Sequence, residues 1–318
     1  MKTNKGRTAE RPSDIPGSGW KQVMLRVKDQ ISSDNIGIVS AGVAFYFFLA
    51  LFPTLTAIIS IYGLVTDPAT VEQQMEQLTN VLPQEAHQLL TEQLRSIAEK
   101  SGSSLGWGVA LSILLSLWSA NSGTKSLFEG INIAYDEEND RSFLKLNAIT
   151  LLFTLGGIIL GIITVTLVVG FPALAGNLGL SDTIQTVISW GRWLILAAIV
   201  MFGLALIYKV APTRDDPKFR WVSWGSAIAT VLWLVGSLLF SWYVNNFGSY
   251  SETYGSVAAV IILMLWFNLT SFIILLGAEI NAELEHQTAK DTTVGKPEPM
   301  GQRGGYHADH VADGQKNK

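Results

Sequence analysis

The sequence predicts an all-α polytopic membrane protein. It expects six transmembrane helices, both termini cytoplasmic, and an extracytoplasmic helical hairpin. Three observations predict this. First, 48% of the 318 residues are hydrophobic and only 15% are charged, where a soluble domain carries about 25% charged residues. Second, no Asp, Glu, Lys or Arg lies between Asp34 and Asp67, Lys100 and Lys125, Lys145 and Asp182, Arg192 and Lys209, Arg220 and Glu252, or Glu252 and Glu279. Each gap can hold a membrane helix of about 17–25 residues. Third, the basic residues sort by loop. The N-terminal arm, the connections holding Arg141 and Lys145 and then Lys209 to Arg220, and the tail from Lys290 are rich in Lys and Arg, and the alternate loops are poor. Positive charge stays on the cytoplasmic side.

The elements follow in chain order. Residues 1–19 form a polar arm without order, lacking the short apolar core of a signal peptide. Residues 20–33 place Trp20, Val23, Met24, Val27 and Ile31 on one helical face, with Lys21, Arg26 and Lys28 elsewhere. That pattern predicts an interfacial helix on the anionic leaflet. The spans are placed near 38–64, 105–123, 147–170, 188–209, 221–244 and 255–280. Pro53 sits mid-way along the first, as a static kink or a candidate hinge. Ser40, Ala41 and Ala44, and Gly157 with Gly161, are small enough for close helix approach. Between spans 1 and 2, residues 70–100 carry two amphipathic periods, with Pro83 in the first turn of the second. They predict the external helical hairpin. Residues 289–318 show no apolar period and are expected to be a disordered cytoplasmic tail.

Polar residues inside spans are the candidate site. Asn121, Lys125 and Glu129 are spaced four apart at the end of span 2 and stack on one face. Such a stripe faces the bundle interior or a water-filled cavity. In span 6, Asn268 lies about 20 Å from Gly255 and Glu279 about 36 Å, at a rise of about 1.5 Å per residue. Glu283 and Glu285 lie further on and are expected in water. Glu279, near a helix C-terminus, opposes the macrodipole and wants a cation. Lys125 reaches the same depth, so a Glu279–Lys125 ion pair is the structural expectation. A proton, cation or headgroup site is the functional one.

The composition also excludes chemistry. There is no cysteine, hence no disulfide or thiolate metal site. The four histidines, His87, His286, His307 and His310, form no His-x-His-x-Asp-His array. No metal or cofactor site and no acid–base pair is expected. His307 and His310 are treated as tail residues able to hold a metal only weakly. No Gly-Lys-Ser/Thr phosphate loop is present.

Four stretches carry a resemblance: "AGVAFYFFLALFPTL", "LWSANSGTKSLFEGINIAYDEENDRSFLKL", "YKVAPTRDDPKFRWVSWGSA" and "FSWYVNNFGSYSETYGSVAAVIILMLWFNLTSFIILLGAEINAELEH". The chain resembles the YihY/BrkB family of bacterial inner-membrane proteins from about residue 20 to 288. The resemblance implies six spans with both ends cytoplasmic. Members carry transporter, lipid-handling, virulence-factor or ribonuclease BN labels, and no catalytic residue is carried over. The matched positions that are both polar and placed at the membrane are Asn121, Lys125, Glu129, Arg141, Asn245, Asn246 and Glu279.

Two functional readings follow. One is a transporter or flippase for an anionic lipid or metabolite, with a cytoplasm-facing cavity of Asn121, Lys125, Glu129, Asn268 and Glu279. Lys125 is its anion contact and Glu279 the counter-charge. The other is a non-transporting scaffold or envelope-integrity protein. Membrane lipids are the expected partners, oligomers are allowed, and nucleic acid is not expected.

Overall fold

The computed structural model describes residues 5–65, 105–165, 182–247 and 257–312. Within them lie α1 (Gly17–Ser33), α2 (Ile36–Val65), α3 (Leu105–Ala134), α4 (Phe143–Val165), α5 (Asp182–Val210), α6 (Phe219–Phe247), α7 (Val257–His286) and the short α8 (Tyr306–Asp309). Among the described residues no strand forms; Pro217 and Thr293 make an isolated antiparallel bridge. Five helical segments are long and apolar enough to cross a membrane: Ile36–Thr54, Phe143–Thr164, Trp190–Val210, Phe219–Val244 and Val260–His286. The protein is thus a polytopic helical membrane protein. α3 is as long as α2; its first half is apolar and its second half carries Asn121, Lys125 and Glu129. The predicted hairpin, 70–100, lies outside the described residues.

The helices run alternately up and down, and side chains at one end fix this. Arg141, just before α4, donates to the carbonyls of Val210, Ala211 and Pro212 at 2.7–2.8 Å. It thereby satisfies the orphan acceptors that end α5. Lys218, just before α6, donates to the Asp291 carbonyl beyond α7 at 2.8 Å. α1 turns into α2 at Asn35, which holds φ 52°, a left-handed conformation Asn tolerates better than most residues. α3 stops where Asp136 takes φ 53°. The Glu137 N–H bonds the Asn132 carbonyl and the Asp136 N–H bonds that of Ile133, the paired ending of a Schellman motif.

α2 packs along α3, and α7 packs on α2 and α6. A core of Val43, Phe128, Ile131, Tyr208, Ala229 and Leu275 lies between them. The closest approach is between α6 and α7. A Cβ on Gly225 would strike the Gly277 carbonyl, and one on Gly277 would strike the Tyr208 hydroxyl. Gly157 and Gly161 play no such part, since nothing within the described residues lies within 4 Å of a Cβ there. Outward, Leu144, Trp190, Leu194 and Leu238 are 72–79% exposed. An apolar exterior of this kind suits a lipid solvent.

Two expectations are corrected. α1 is docked rather than merely laid on a surface: Val23 and Val27 are buried with Trp221, Ile280 and Leu284, although Met24 is exposed. Residues 289–312, expected to be without order, are laid against the bundle end. Thr288 donates to the Ala9 carbonyl, and Arg303 donates to the carbonyls of Glu298, Ala308 and Ala289. Polar contacts with scattered backbone groups hold this segment, so no apolar period announces it. The arm joins it: the Arg7 guanidinium donates to the Ala312 carbonyl at 2.9 Å, and Ala289 N–H to the Arg7 carbonyl.

Candidate functional site

The predicted polar residues do not converge on one cavity. They separate into a seam between α3 and α4, a contact between α2 and α7, and a charged cluster at the end of α7.

In the seam, Asn121 is fully buried. Its amide nitrogen reaches Asn147 Oδ1 at 3.4 Å, and its carbonyl accepts from Thr154 at 3.2 Å. Thr124 and Thr154 hydroxyls bond at 2.8 Å. Spacings of three on α3 (Asn121, Thr124) and seven on α4 (Asn147, Thr154) keep these groups on one face of each helix, and interhelical polar bonds of this kind join helices in membranes. Lys125, one turn on, is half-buried. Its Nζ lies 5.1 Å from the Trp118 ring centroid and 6.0 Å from that of Phe143, an aromatic–cation arrangement. Both rings are largely exposed. Among the described residues no carboxylate pairs with Lys125, so the expected Glu279–Lys125 ion pair is not made. Glu129 is exposed and stands apart from the buried seam.

Asn268 meets α2, its carbonyl accepting from the Ser40 hydroxyl at 3.0 Å. Pro53 lies inside α2 and is half-buried. Asn246 donates to the Trp242 carbonyl of its own helix.

The end of α7 is the densest polar cluster. Glu279, Glu283 and Glu285 are all buried, at 1%, 2% and 0% exposure, so the expectation that Glu283 and Glu285 sit in water is overturned. The reason is that α1, the tail and the 211–218 loop cover this end and bring cations. Arg26 of α1 binds Glu283 Oε2 through Nε and the Glu283 carbonyl through Nη2. Arg214 grips Glu285 with two bonds, 2.9 and 2.6 Å, the bidentate form that suits a guanidinium. Burial works against the charged Arg214, but Glu285 more than offsets it and holds the guanidinium above its ordinary pKa. Arg214 also lies over the Tyr135 ring at 4.8 Å.

Glu279 instead faces Asp34, the two carboxyls meeting side by side. Neither Asp34 Oδ2 nor Glu279 Oε1 has another polar partner. Burial pushes the Asp34 carboxyl above the usual aspartate range, with nearby Asp136 adding to it. Two carboxyls in contact without a cation between them cannot both be charged cheaply. Beside them, Asp136 Oδ2 lies 3.1 Å from His307 Nε2. The His307 hydrogen bond holds the Asp136 carboxyl below its ordinary value, against burial. Sequence reasoning did not place Asp34 and Asp136 in a site and left His307 in a tail without order; the three come from segments far apart in the chain. The αL turn at Asp136 gave no pattern that could have joined them.

The model of a family described as virulence factor BrkB matches residues 27–301. The ribonuclease-like protein YfkH of Bacillus subtilis (strain 168) is 32% identical over 253 residues, covering 77% of this chain and 88% of its own. The UPF0761 membrane protein IL2447 of Idiomarina loihiensis is 25% identical, covering 85% of this chain and 91% of its own. The UPF0761 membrane protein NTHI0384 of Haemophilus influenzae is 24% identical over 80% and 92% of the two chains. No solved structure matches the chain.

Proposed function

The chain belongs to the virulence factor BrkB family of membrane proteins, and from that premise we propose that it is a transporter or flippase for an anionic lipid or anionic metabolite. The observation that carries this reading is Lys125. Its ammonium is half-buried between two lipid-exposed aromatic rings, with no carboxylate partner among the described residues. A desolvated cation at such a place attracts an anion. The buried Asn121–Asn147–Thr154 seam runs from it into the bundle, giving a headgroup polar groups to follow between α3 and α4.

The substrate enters from the cytoplasmic face. Arg7, Arg26, Arg141, Arg214, Lys218 and Arg303 gather at the end where both described termini lie, and positive residues mark that side. This reading takes six spans, both termini cytoplasmic, in a bacterial inner membrane, and assigns the chain no enzymatic activity. The relative named ribonuclease-like lends a name but no residues to an enzymatic alternative. A non-transporting scaffold is the competing reading, since the arm and tail build a folded surface on the cytoplasmic end.

The test is native mass spectrometry from mild detergent, with transfer of a labelled anionic lipid in vesicles. Wild type should retain an anionic ligand. Lys125→Ala should lose it and slow transfer at least about tenfold, the equivalent of about 1.4 kcal/mol, and Lys125→Arg should keep both. Equal retention and equal transfer in all three proteins would return Lys125 to a packing role and favour the scaffold.

A further inference from the structure

We propose that Glu283, His286 and His307 bind a zinc-class divalent metal ion that fastens the C-terminal segment to the end of α7. One ligand atom from each of the three residues lies within 4.8 Å of the other two. The His286 and His307 rings stand edge to face with centroids 5.0 Å apart. His286 Nδ1 lies 3.6 Å from Glu283 Oε2. His307 is only 2% exposed, and the Nδ1 atoms of both rings are buried without a hydrogen-bond partner. Buried ring nitrogens normally find partners, and an unpaired one calls for an explanation.

The charge balance points the same way. Glu279 has Asp34, Glu283 and Asp136 as acidic neighbours, and Arg26 pairs with Glu283. Even with a proton between Asp34 and Glu279, the carboxylates outnumber Arg26 around the buried Glu279 and Glu283. A divalent cation offsets that excess. Two imidazoles and a carboxylate, with no thiolate in the chain, are the donor set of a tetrahedral zinc site. Asp136, 3.1 Å from His307 Nε2, is the carboxylate that commonly orients a metal-bound imidazole. Arg26 holds Glu283 from the other side through its side chain and its carbonyl, so the carboxylate is shared between guanidinium and metal.

The ligands come from α7 and from the tail, with the α3–α4 turn behind them. Binding therefore joins segments that the chain otherwise ties with single hydrogen bonds. This inference does not rest on the transport reading.

The test uses the full chain in detergent, its affinity tag free of histidine. After treatment with chelator and exposure to Zn²⁺, wild type should carry about one metal ion per chain. Cobalt loading of wild type should give the visible absorption of a four-coordinate site. Metal should slow amide exchange across residues 303–310. His307→Ala and His286→Gln should each lower zinc retention at least about tenfold, the equivalent of about 1.4 kcal/mol. His310→Ala should retain it, because His310 is exposed. No cobalt spectrum in wild type, or zinc retention unchanged in both variants, overturns the proposal. The cobalt measurement stands even where a variant fails to fold.

Discussion

At the scale of the residue, Asp34 offers the sharpest test of the buried cluster. Its folded pKa is raised above the ordinary aspartate value, chiefly by burial. The groups facing it are Ser33 on its own turn, Glu279 of α7, Asp136 after α3 and His307 of the tail. A raised carboxyl contributes stability that is fully present below its unfolded pKa and is lost as pH rises through its folded value. At neutral pH the charged form is therefore a cost. Asp34→Asn should stabilise the protein at about pH 7 and lose that advantage near about pH 4. The gain should be below about 1 kcal/mol, because Asp34 is partly exposed and solvent screens it. Thermal unfolding in detergent across that range measures it. A variant less stable than wild type at neutral pH would mean that the Asp34 carboxylate, not its neutral form, is what the fold uses. Asp136 runs the other way. Its carboxyl is lowered by His307, so its contribution is present above its unfolded pKa and fades only as pH falls through the folded one.

At the scale of the element, the helices were legible and their ends were not. Charge-free gaps located every long helix because an apolar run has few other places to go. α3 runs past the predicted span 105–123 to Ala134, carrying the polar stripe on one helix as the four-residue spacing implied. Its buried member Asn121 is satisfied sideways, by Asn147 and Thr154 of α4. Glu283 and Glu285 were read as wet for a related reason. Distance along a helix gives depth but not what folds back over it, and Arg26 and Arg214 arrive from remote segments. Nor did glycine spacing reveal helix packing. The spacing of Gly157 and Gly161 drew notice, yet the contact that matters joins Gly225 to Gly277, on different helices. Gly277→Ala should cost about 1–3 kcal/mol by overpacking, since the added methyl meets the Tyr208 hydroxyl and Ala229. Gly157→Ala, with open space around it, should be neutral within about 0.5 kcal/mol. Unfolding midpoints of the two variants compare them directly. Equal losses would mean that Gly157 is packed by something other than the described residues, such as a second copy.

At the scale of the whole molecule, the question is how many times the chain crosses the membrane, and α3 decides it. Among the described residues five segments qualify by length and apolarity, while α3 carries the polar stripe of Asn121, Lys125 and Glu129. Yet α3 packs lengthwise on α2, and its end lies with the ends of α5 and α7, as the Asn132 amide bonded to the Ala211 carbonyl requires. A helix held in that register within a membrane bundle is expected to cross with its neighbours. Its polar stripe is tolerable because the buried part, Asn121 and Thr124, is paired with α4. The absence of cysteine makes the crossing measurable. Single cysteines replacing Met300, in the exposed part of the tail, and Thr79, between α2 and α3 in the sequence, can be labelled with a membrane-impermeant reagent in whole cells and in inverted vesicles. Among the described residues five helices, α3 to α7, separate the two positions. If all five cross, Thr79→Cys labels from outside and Met300→Cys only from the cytoplasmic side. If α3 lies along the membrane instead, four crossings remain and both positions label from the same side. That result would also remove Lys125 from the mouth of a transmembrane seam, so the topology and the transport reading stand on the same helix.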